Sequence, residues 1–210
     1  MIAALNGSVY LHDLQGHSVL SNVSNVIATQ AASVKRAGEV MRQICYSVAM
    51  SLDGYIADAL GKSDWIVMDP DIDFPAFMSK FDTVLMGRNT FAAMSAQGGG
   101  SLRGMRSVVV SRTLQRKDHP DIEILAGPLQ EDIRRLQSEP GKDIWLFGGG
   151  SLFRSLCSAQ LVSTVEVSVI PILLGAGTPL LPPPSERIKL RLASSKVYEK
   201  TGTIWMKYLL

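Results

Sequence analysis

The chain has 210 residues and a formal net charge of +2 at neutral pH, with 46% hydrophobic and 19% charged residues. This is the composition of an ordinary globular protein, and at this length one domain with a substantial core is the default. No run of about 18 apolar residues occurs, so the sequence excludes a long apolar span and we expect no membrane partner.

Residues 1–40 differ in composition from the rest of the chain. They are rich in Ser, Asn, Ala and Val, and their only charged residues are Asp13, Lys35, Arg36 and Glu39. They lack the basic start and the continuous apolar run of a secretory signal. We therefore predict an N-terminal extension of unassigned role over 1–40 and a globular domain over 41–210.

From residue 44 onward, apolar strand patterns alternate with amphipathic segments. Runs of apolar residues predict strands at 44–50, 83–87, 107–111, 122–126, 144–147 and 163–171. Helices are predicted at 74–81, 88–95, 128–138 and 151–160. The tail predicts two strands joined near Gly202. About eight strands, with crossover helices first and an antiparallel hairpin last, indicate an α/β fold with a mostly parallel sheet.

The basic residues are unevenly distributed along the chain. No acidic residue lies between Asp82 and Asp118, yet six basic side chains do: Arg88, Arg103, Arg106, Arg112, Arg116 and Lys117. One basic stretch in an otherwise acidic chain favours a small anionic ligand, although a solvated basic face is the alternative. Aromatic residues do not interleave with residues 103–117, which disfavours binding to nucleic acid.

Three strand-to-helix junctions are suited to anions, because ligands of parallel α/β sheets bind beyond the carboxyl ends of the strands. Residues 87–90 (GRNT) join free backbone N–H groups to a cation and a hydroxyl. Residues 111–112 (SR) offer a hydroxyl and a guanidinium. At 148–151 (GGGS) the missing β-carbons would let a backbone approach a pyrophosphate. A permissive turn or a surface arginine is the alternative at each junction.

Five segments, taken together and in order, resemble the dihydrofolate reductase-like superfamily, which includes the reductase domain of bacterial riboflavin-biosynthesis enzymes. They are SVAMSLDGYIA (47–57), VLMGRNTF (84–91), VVVSR (108–112), IWLFGGGSLF (144–153) and IPILLGAGTPLLP (170–182). The resemblance covers residues 42–210. It implies a three-layer α/β fold and an NADPH-dependent reductase that transfers a hydride to a pterin-like or pyrimidine-like heterocycle.

The resemblance also implies which residues hold the NADPH cofactor. Ala49 and Ile56 match positions at the nicotinamide, and Trp65 lies in GKSDWI (61–66), a segment of the riboflavin type. The positions at the phosphates and the adenosine ribose are Gly87, Arg88, Thr90, Ser111, Arg112, Gly148, Gly149, Gly150, Ser151 and Leu152. In this reading only Arg88 and Arg112 of the basic stretch touch a phosphate, and the other four supply a general positive field.

The substrate end of the resemblance is thinner. The substrate-binding candidates are Ser63, Asp71, Asp73, Phe77 and Ser168. In the folate enzymes a helical carboxylate before the MGR motif binds the heterocycle, and here that position falls at 71–73. Asp73 could equally be the N-cap of the predicted helix. Asp73 and Asp53 are the candidates for proton transfer, although Asp53 could equally shape the turn before Gly54.

Two alternatives to this function stay open. SLDG and GKSDWI favour a riboflavin-pathway 5-amino-6-(5-phosphoribosylamino)uracil reductase. Against it, the glutamate that those reductases carry before the glycines is Phe147 here, and the deaminase motifs HxE and PCxxC are absent from the sequence. A noncatalytic NADPH-binding module is the alternative from another class, because the substrate carboxylate is ambiguous.

The cysteines and histidines carry little functional signal. Cys45 and Cys157 are isolated in apolar segments, which predicts reduced, buried thiols and a reducing, cytoplasmic compartment. The three histidines, His12, His17 and His119, lie far from every motif, and we expect no metal site. A homodimer is expected by analogy with the riboflavin-type relatives.

Overall fold

The computed structural model describes residues 4–5, 8–9, 41–96, 98–99, 102 and 104–210. Contacts divide the chain into two compact units, residues 1–40 and 41–210. In the first unit, β1 (Ala4–Leu5) pairs antiparallel with β2 (Ser8–Val9). The rest of the N-terminal extension, and Arg103 of the basic stretch, lie outside the described residues.

The second unit is built on one large sheet. Its strands are β3 (Ile44–Ser51), β4 (Tyr55–Ala57), β5 (Phe81–Gly87), β6 (Arg106–Val110), β7 (Glu123–Leu125), β8 (Asp143–Gly148), β9 (Thr164–Ile170), β10 (Thr178–Pro179), β11 (Arg191–Tyr198) and β12 (Thr203–Leu209). Eight of them form the sheet in the order β11-β12-β9-β3-β8-β5-β6-β7, and β4 pairs with β10.

The strand directions confirm the predicted sheet. From β9 to β7, each neighbouring pair is parallel. The C-terminal hairpin is antiparallel, with β12 pairing against both β9 and β11. Parallel neighbours need crossover connections. Most of these contain an α-helix, whereas β6 and β7 are joined by a loop with a short 3₁₀ turn at Arg116–Asp118.

Four α-helices are described: α1 (Phe74–Met78), α2 (Arg88–Ala96), α3 (Leu129–Ser138) and α4 (Gly150–Ser158). The helix predicted over 74–81 was too long, because it ends at Met78 and β5 already begins at Phe81. Phe81 shares the phenylalanine spacing of that segment, but its ring is buried from the strand against Trp145, at a centroid distance of 6.1 Å. Tertiary packing therefore overrides the helical spacing.

The sheet separates two apolar layers. Alternate residues of the strands, such as Tyr46, Leu85 and Leu146, pack on one face against α3 and α4. On the opposite face, Phe81 and Trp145 pack with residues of α1, and a neighbouring cluster packs against α2. This arrangement gives the expected three layers, and it leaves the carboxyl ends of the central strands free to form a site.

None of the helices described is long and apolar enough to cross a membrane.

Candidate functional site

A cavity of about 1060 Å³ lies at the carboxyl ends of the central strands. Residues at or near the ends of β3, β5, β8 and β9 contribute to its wall, together with the first turns of α2 and α4 and the C-terminal hairpin. Pockets for one small ligand usually measure roughly 300–1,000 Å³. The cavity therefore lies at the upper end of the range for a ligand site.

The cavity collects most of the residues that the sequence singled out. Those in its wall are Ala49, Ile56, Ser63, Asp71, Asp73, Phe77, Gly87, Arg88, Thr90, Gly148, Gly149, Gly150, Ser151, Leu152 and Ser168. Asp53, Trp65, Ser111 and Arg112 lie outside the lining. Segments from 49 to 168 thus meet at one place, although they are far apart in the sequence.

The glycine run lies directly against the start of α2. A β-carbon on Gly149 would lie 3.3 Å from the hydroxyl oxygen of Thr90, and one on Gly148 would lie 3.5 Å from the Thr90 methyl carbon. Gly149 has a φ of +87°, a conformation that favours glycine. On the other side, a β-carbon on Gly150 would lie 2.8 Å from the carbonyl oxygen of Pro179. The glycine run is therefore packed between the Thr90 side chain and the Pro179 backbone, and it also faces the cavity.

Helix α4 begins at this glycine run and its N-terminus has no side-chain cap. Ser151 and Leu152, in its first turn, line the cavity. The first N–H groups of a helix lack partners within the helix and carry partial positive charge. The junction therefore presents unclaimed backbone donors to whatever occupies this half of the cavity.

Arg88 links the first anion junction (87–90) to the second (111–112). Its guanidinium donates a hydrogen bond of 3.1 Å to the hydroxyl of Thr113, just beyond the end of β6. Ser111 is buried, and its hydroxyl oxygen accepts from the backbone N–H groups of Thr113 and Leu114 at 3.2 and 3.1 Å. Arg112 is exposed. Ser111 therefore shapes the loop that carries Arg112, beside the guanidinium of Arg88.

Not all of the basic stretch is available to a ligand. Arg106 forms ion pairs with Glu123 and Glu139. The expectation that Arg106 contributes a general positive field is therefore wrong, because two carboxylates neutralise it. Arg116 and Lys117 lie in an exposed turn of 3₁₀ helix.

Asp53 and Trp65 are both engaged in local structure. The Asp53 carboxylate accepts from the Ser51 hydroxyl at 2.6 Å and from the backbone N–H of Gly175 at 2.7 Å. These hydrogen bonds, the one from Ser51 above all, hold the pKa of Asp53 below its ordinary value. The Trp65 indole N–H donates to the carbonyl of Lys62 at 3.2 Å. Asp53 therefore fastens the 174–175 loop to the end of β3.

Aromatic rings form the base of the other half of the cavity. Trp145 lies edge-on to Phe77 and Phe147, with ring centroids 5.0 and 4.9 Å apart. The Trp145 indole N–H donates to the Ser47 carbonyl at 2.9 Å, which fixes the ring. A flat heterocycle would find stacking or edge-to-face partners here.

The two candidate substrate carboxylates are held by other protein groups. Asp73 accepts from the backbone N–H of Ala76 at 2.9 Å, which confirms the N-cap alternative. Asp71 forms an ion pair with Lys200 at 2.6 Å. Asp69, which is buried, accepts from the hydroxyl and the backbone N–H of Thr201 at 2.9 and 3.1 Å. Segment 69–73 is thereby fastened to the turn of the C-terminal hairpin.

Opposing effects act on the ionisation of Asp69. Desolvation raises its pKa, but hydrogen bonds from the Asp71 backbone and from Thr201 outweigh desolvation, and the pKa lies below its ordinary value. Asp69 therefore stays ionised while it holds the segment.

Glu166 is the site residue that the sequence reading missed. It is 2% exposed and lines the cavity from β9. One carboxylate oxygen, Oε1, lies 3.0 Å from the Lys207 ammonium. The other, Oε2, is buried and has no hydrogen-bond partner among the residues described. The sequence did carry a signal, because Glu166 is the one charged residue in the apolar strand TVEVSVI.

The C-terminal hairpin contributes further residues that no motif indicated. These are Lys196, Tyr198, Thr203 and Trp205, which line the cavity from β11 and β12. The Lys196 ammonium lies 4.4 Å from the centre of the Tyr198 ring, within cation–π range.

Both cysteines are free and buried, as the sequence predicted. Burial, with the Glu166 carboxylate adding to its effect, raises the pKa of the Cys45 thiol to about 12. Burial raises the pKa of Cys157 to about 11. Within the described ranges, no three His, Cys, Asp or Glu side chains gather in a group that could hold a metal ion.

The comparisons with known proteins agree with this fold. The family model of the RibD C-terminal domain matches residues 42–203. Protein YyaP of Bacillus subtilis (strain 168) is 32% identical over 179 residues, which cover 80% of this chain and 94% of YyaP.

Solved structures show the same similarity. A Shewanella sp. PV-4 protein described as a riboflavin biosynthesis protein matches at 26% identity with a TM-score of 0.69, over 80% of this chain and 98% of that one. Enterococcus faecalis dihydrofolate reductase, solved with NADP(H), matches at 17% identity with a TM-score of 0.57, over 81% and 98% of the two chains. The expected dihydrofolate reductase-like fold is confirmed, and the chain belongs to the RibD C-terminal domain family.

Proposed function

We propose that this chain is an NADPH-dependent reductase that transfers a hydride to a pyrimidine-like or pterin-like heterocycle. The observation that carries the proposal is one cavity with two different halves. One half is lined by the glycine run and the start of α4, and the other is lined by aromatic rings. Such a cavity suits a dinucleotide beside a flat ring. Membership in the RibD C-terminal domain family supports the same assignment.

The residues present fit NADPH. Gly148 and Gly149 leave beside Thr90 the space that β-carbons would fill, and the uncapped start of α4 offers backbone N–H donors to a phosphate. Arg88, at the start of α2, adds a cation to this half of the cavity. When bound, NADPH supplies the hydride; the chain positions the two partners and excludes water.

Preference for NADPH over NADH follows from the two arginines in this proposal. Arg88 and Arg112 follow the carboxyl ends of the adjacent strands β5 and β6, and Thr113 joins their loops. Guanidinium groups bind phosphate with paired, charge-assisted hydrogen bonds. The 2′-phosphate that distinguishes NADPH would be held between these loops.

A phosphorylated pyrimidine fits the other half better than a folate does. Lys80 and Lys196 line the cavity, are exposed, and form no ion pair with any described carboxylate. Two such cations favour a substrate with an anionic substituent. The phosphate of the riboflavin-pathway substrate 5-amino-6-(5-phosphoribosylamino)uracil meets this requirement, as do the carboxylates of a folate. Asp71 and Asp73 are engaged in other contacts, which weakens the folate alternative.

The test is oxidation of NADPH by the purified protein with a panel of heterocycles. The panel contains the phosphoribosylaminouracil, the same compound without its phosphate, dihydrofolate and a dihydropterin. We expect turnover with the phosphorylated pyrimidine and a KM at least tenfold higher without the phosphate, consistent with loss of a charge-assisted contact. Tight NADPH binding without oxidation by any compound would favour the noncatalytic alternative instead.

A further inference from the structure

Glu166 lies on an inner strand of the sheet, where burial of a carboxylate is costly unless the group is paired. In the pairing register it stands beside Ser47 of β3 and Lys207 of β12. Its side chain is buried and forms part of the cavity wall. The same face of β9 presents Ser168, two residues further on, to the same cavity.

Lys207 compensates the charge of Glu166 but does not satisfy the whole carboxylate. The ammonium lies 3.0 Å from Oε1, while Oε2 has no hydrogen-bond partner of normal geometry among the described side chains and backbone groups. The Cys45 thiol, a weak donor, lies close to the same carboxylate. A buried acceptor without a donor destabilises the folded protein, and an ionised one does so most. The nearby indole N–H of Trp145 is not available, because it donates to the Ser47 carbonyl.

The other acids of this half of the cavity are already used. Asp73 caps α1 and Asp71 pairs with Lys200. Among the acids that line the cavity, Glu166 is the buried one and its Oε2 lacks a hydrogen-bond partner within the described ranges, while Trp145 and Phe147 line the same cavity.

We propose that Glu166 orients the substrate by accepting, at Oε2, a ring N–H of the heterocycle. This inference rests on the proposed function and specifies the substrate further. Because Lys207 neutralises the carboxylate, the bound ring is an uncharged one that turns an N–H edge toward β9. Rings of the lactam or ureide class, such as uracils, have such an edge.

A small recess of about 130 Å³ beside Glu166 offers a competing occupant. It is lined by Glu166, Lys207, Cys45 and Thr164, among others, and is large enough for water. If a water molecule in this recess donated a hydrogen bond to Oε2, Glu166 would have no role in binding the substrate. The experiment therefore measures the ring N–H contact directly.

The probes are 5,6-diaminouracil and 5,6-diamino-1,3-dimethyluracil, which differ in the two ring N–H groups. Their Kd values are measured by calorimetry, with and without NADPH, for the wild type, Glu166→Gln and the control Asp143→Asn. Asp143 lines the recess but not the cavity, so its variant tests a general effect of removing a carboxylate.

We expect the wild type and the control to bind the N–H compound at least about tenfold more tightly than the dimethyl compound. In Glu166→Gln that preference should fall to roughly threefold or less, because a hydrogen bond to an ionised acceptor is stronger than one to a neutral amide. The Kd for NADPH should change less than about twofold. An unchanged preference in Glu166→Gln overturns the inference.

A second variant protects the test against a folding defect in the first. The double variant Glu166→Leu, Lys207→Met removes both members of the buried pair, which proteins commonly tolerate better than removal of one. It should lose the N–H preference in the same way, and retention of the preference would also overturn the inference. If the wild type binds the probes with the N–H preference but binds no NADPH, the proposed reductase function fails while the role of Glu166 stands.

Discussion

At the scale of single residues, the proposed preference for NADPH rests on the two arginines beyond β5 and β6. Arg88 is tied to Thr113 by a hydrogen bond of 3.1 Å, and Arg112 precedes that threonine in the same loop. Arg106, which lies between them in the sequence, has a different environment, because it forms ion pairs with Glu123 and Glu139. Arg88 and Arg112 are therefore proposed as phosphate contacts because of their position after a strand, and not because of the charge of the basic stretch.

Replacing Arg112 with Ala should weaken NADPH binding by about tenfold or more and change NADH binding by less than about threefold. The reason is that the proposal gives this guanidinium a contact with the 2′-phosphate alone, and a charge-assisted hydrogen bond is worth that factor. Fluorescence titration with both cofactors measures the two Kd values. Arg134→Ala, an exposed arginine of α3, serves as the control, and equal losses for NADPH and NADH would contradict the assignment.

The Tyr46 hydroxyl is a second residue-scale test. Its ring stacks on Phe153 at a centroid distance of 3.8 Å, and its hydroxyl is buried without a partner in the described part of the chain. Burial raises the pKa of Tyr46 far above its ordinary value. Tyr46→Phe should leave the free energy of unfolding unchanged or raise it by up to about 1 kcal/mol, because an unpaired hydroxyl is removed. A loss of more than about 1 kcal/mol in urea unfolding would mean that the hydroxyl has a partner.

At the scale of elements, the C-terminal hairpin fastens one wall of the substrate half. Asp69 binds Thr201 in the hairpin turn, and Asp71 binds Lys200 beside it. Segment 69–73 then leads into α1, whose Phe77 packs against Trp145. A distant hairpin therefore positions the segment in which the sequence placed the substrate carboxylate.

This link predicts a pH dependence. Because the pKa of Asp69 is lowered in the folded protein, the stability it contributes is present above the ordinary aspartate value of about 3.9 and is lost as the pH falls through the folded pKa. Asp69→Asn should therefore lower the melting temperature at neutral pH, and its difference from the wild type should shrink in acid. Thermal unfolding at a series of pH values tests this, and a difference that is constant or grows in acid would refute it.

The sequence predicted elements best where their signals are local. Apolar runs located the strands of the sheet, and the glycine run marked the start of α4 correctly. The segment at 74–81 shows the limit, because phenylalanine spacing cannot tell a helix from a helix followed by a strand that buries the same rings. The short pair of β4 and β10 was not predicted at all, since its partners lie more than a hundred residues apart.

At the scale of the whole molecule, the sequence selected the residues that line the half of the cavity proposed for the cofactor, but it missed several that line the half proposed for the substrate. The glycines, Arg88 and Thr90 stand in compact motifs, so the sequence alone singled them out, and the structure brings them together in one cavity wall. Glu166 and the hairpin residues Lys196 and Trp205 come from strands whose pairing is set by the sheet. A single glutamate among valines indicates a constraint, but only the register shows what faces it. The homodimer stays a prediction.

The most direct test of the central claim is transfer of deuterium from NADPH labelled at nicotinamide C4 to the heterocycle, followed by mass spectrometry. The protein is incubated with each of the two labelled C4 epimers and the phosphoribosylaminouracil. The account predicts that the reduced product carries the deuterium from one epimer and not from the other, because the cavity holds the nicotinamide and the substrate in one orientation. If NADPH binds but no compound of the panel acquires deuterium from either epimer, the protein is not the reductase proposed here.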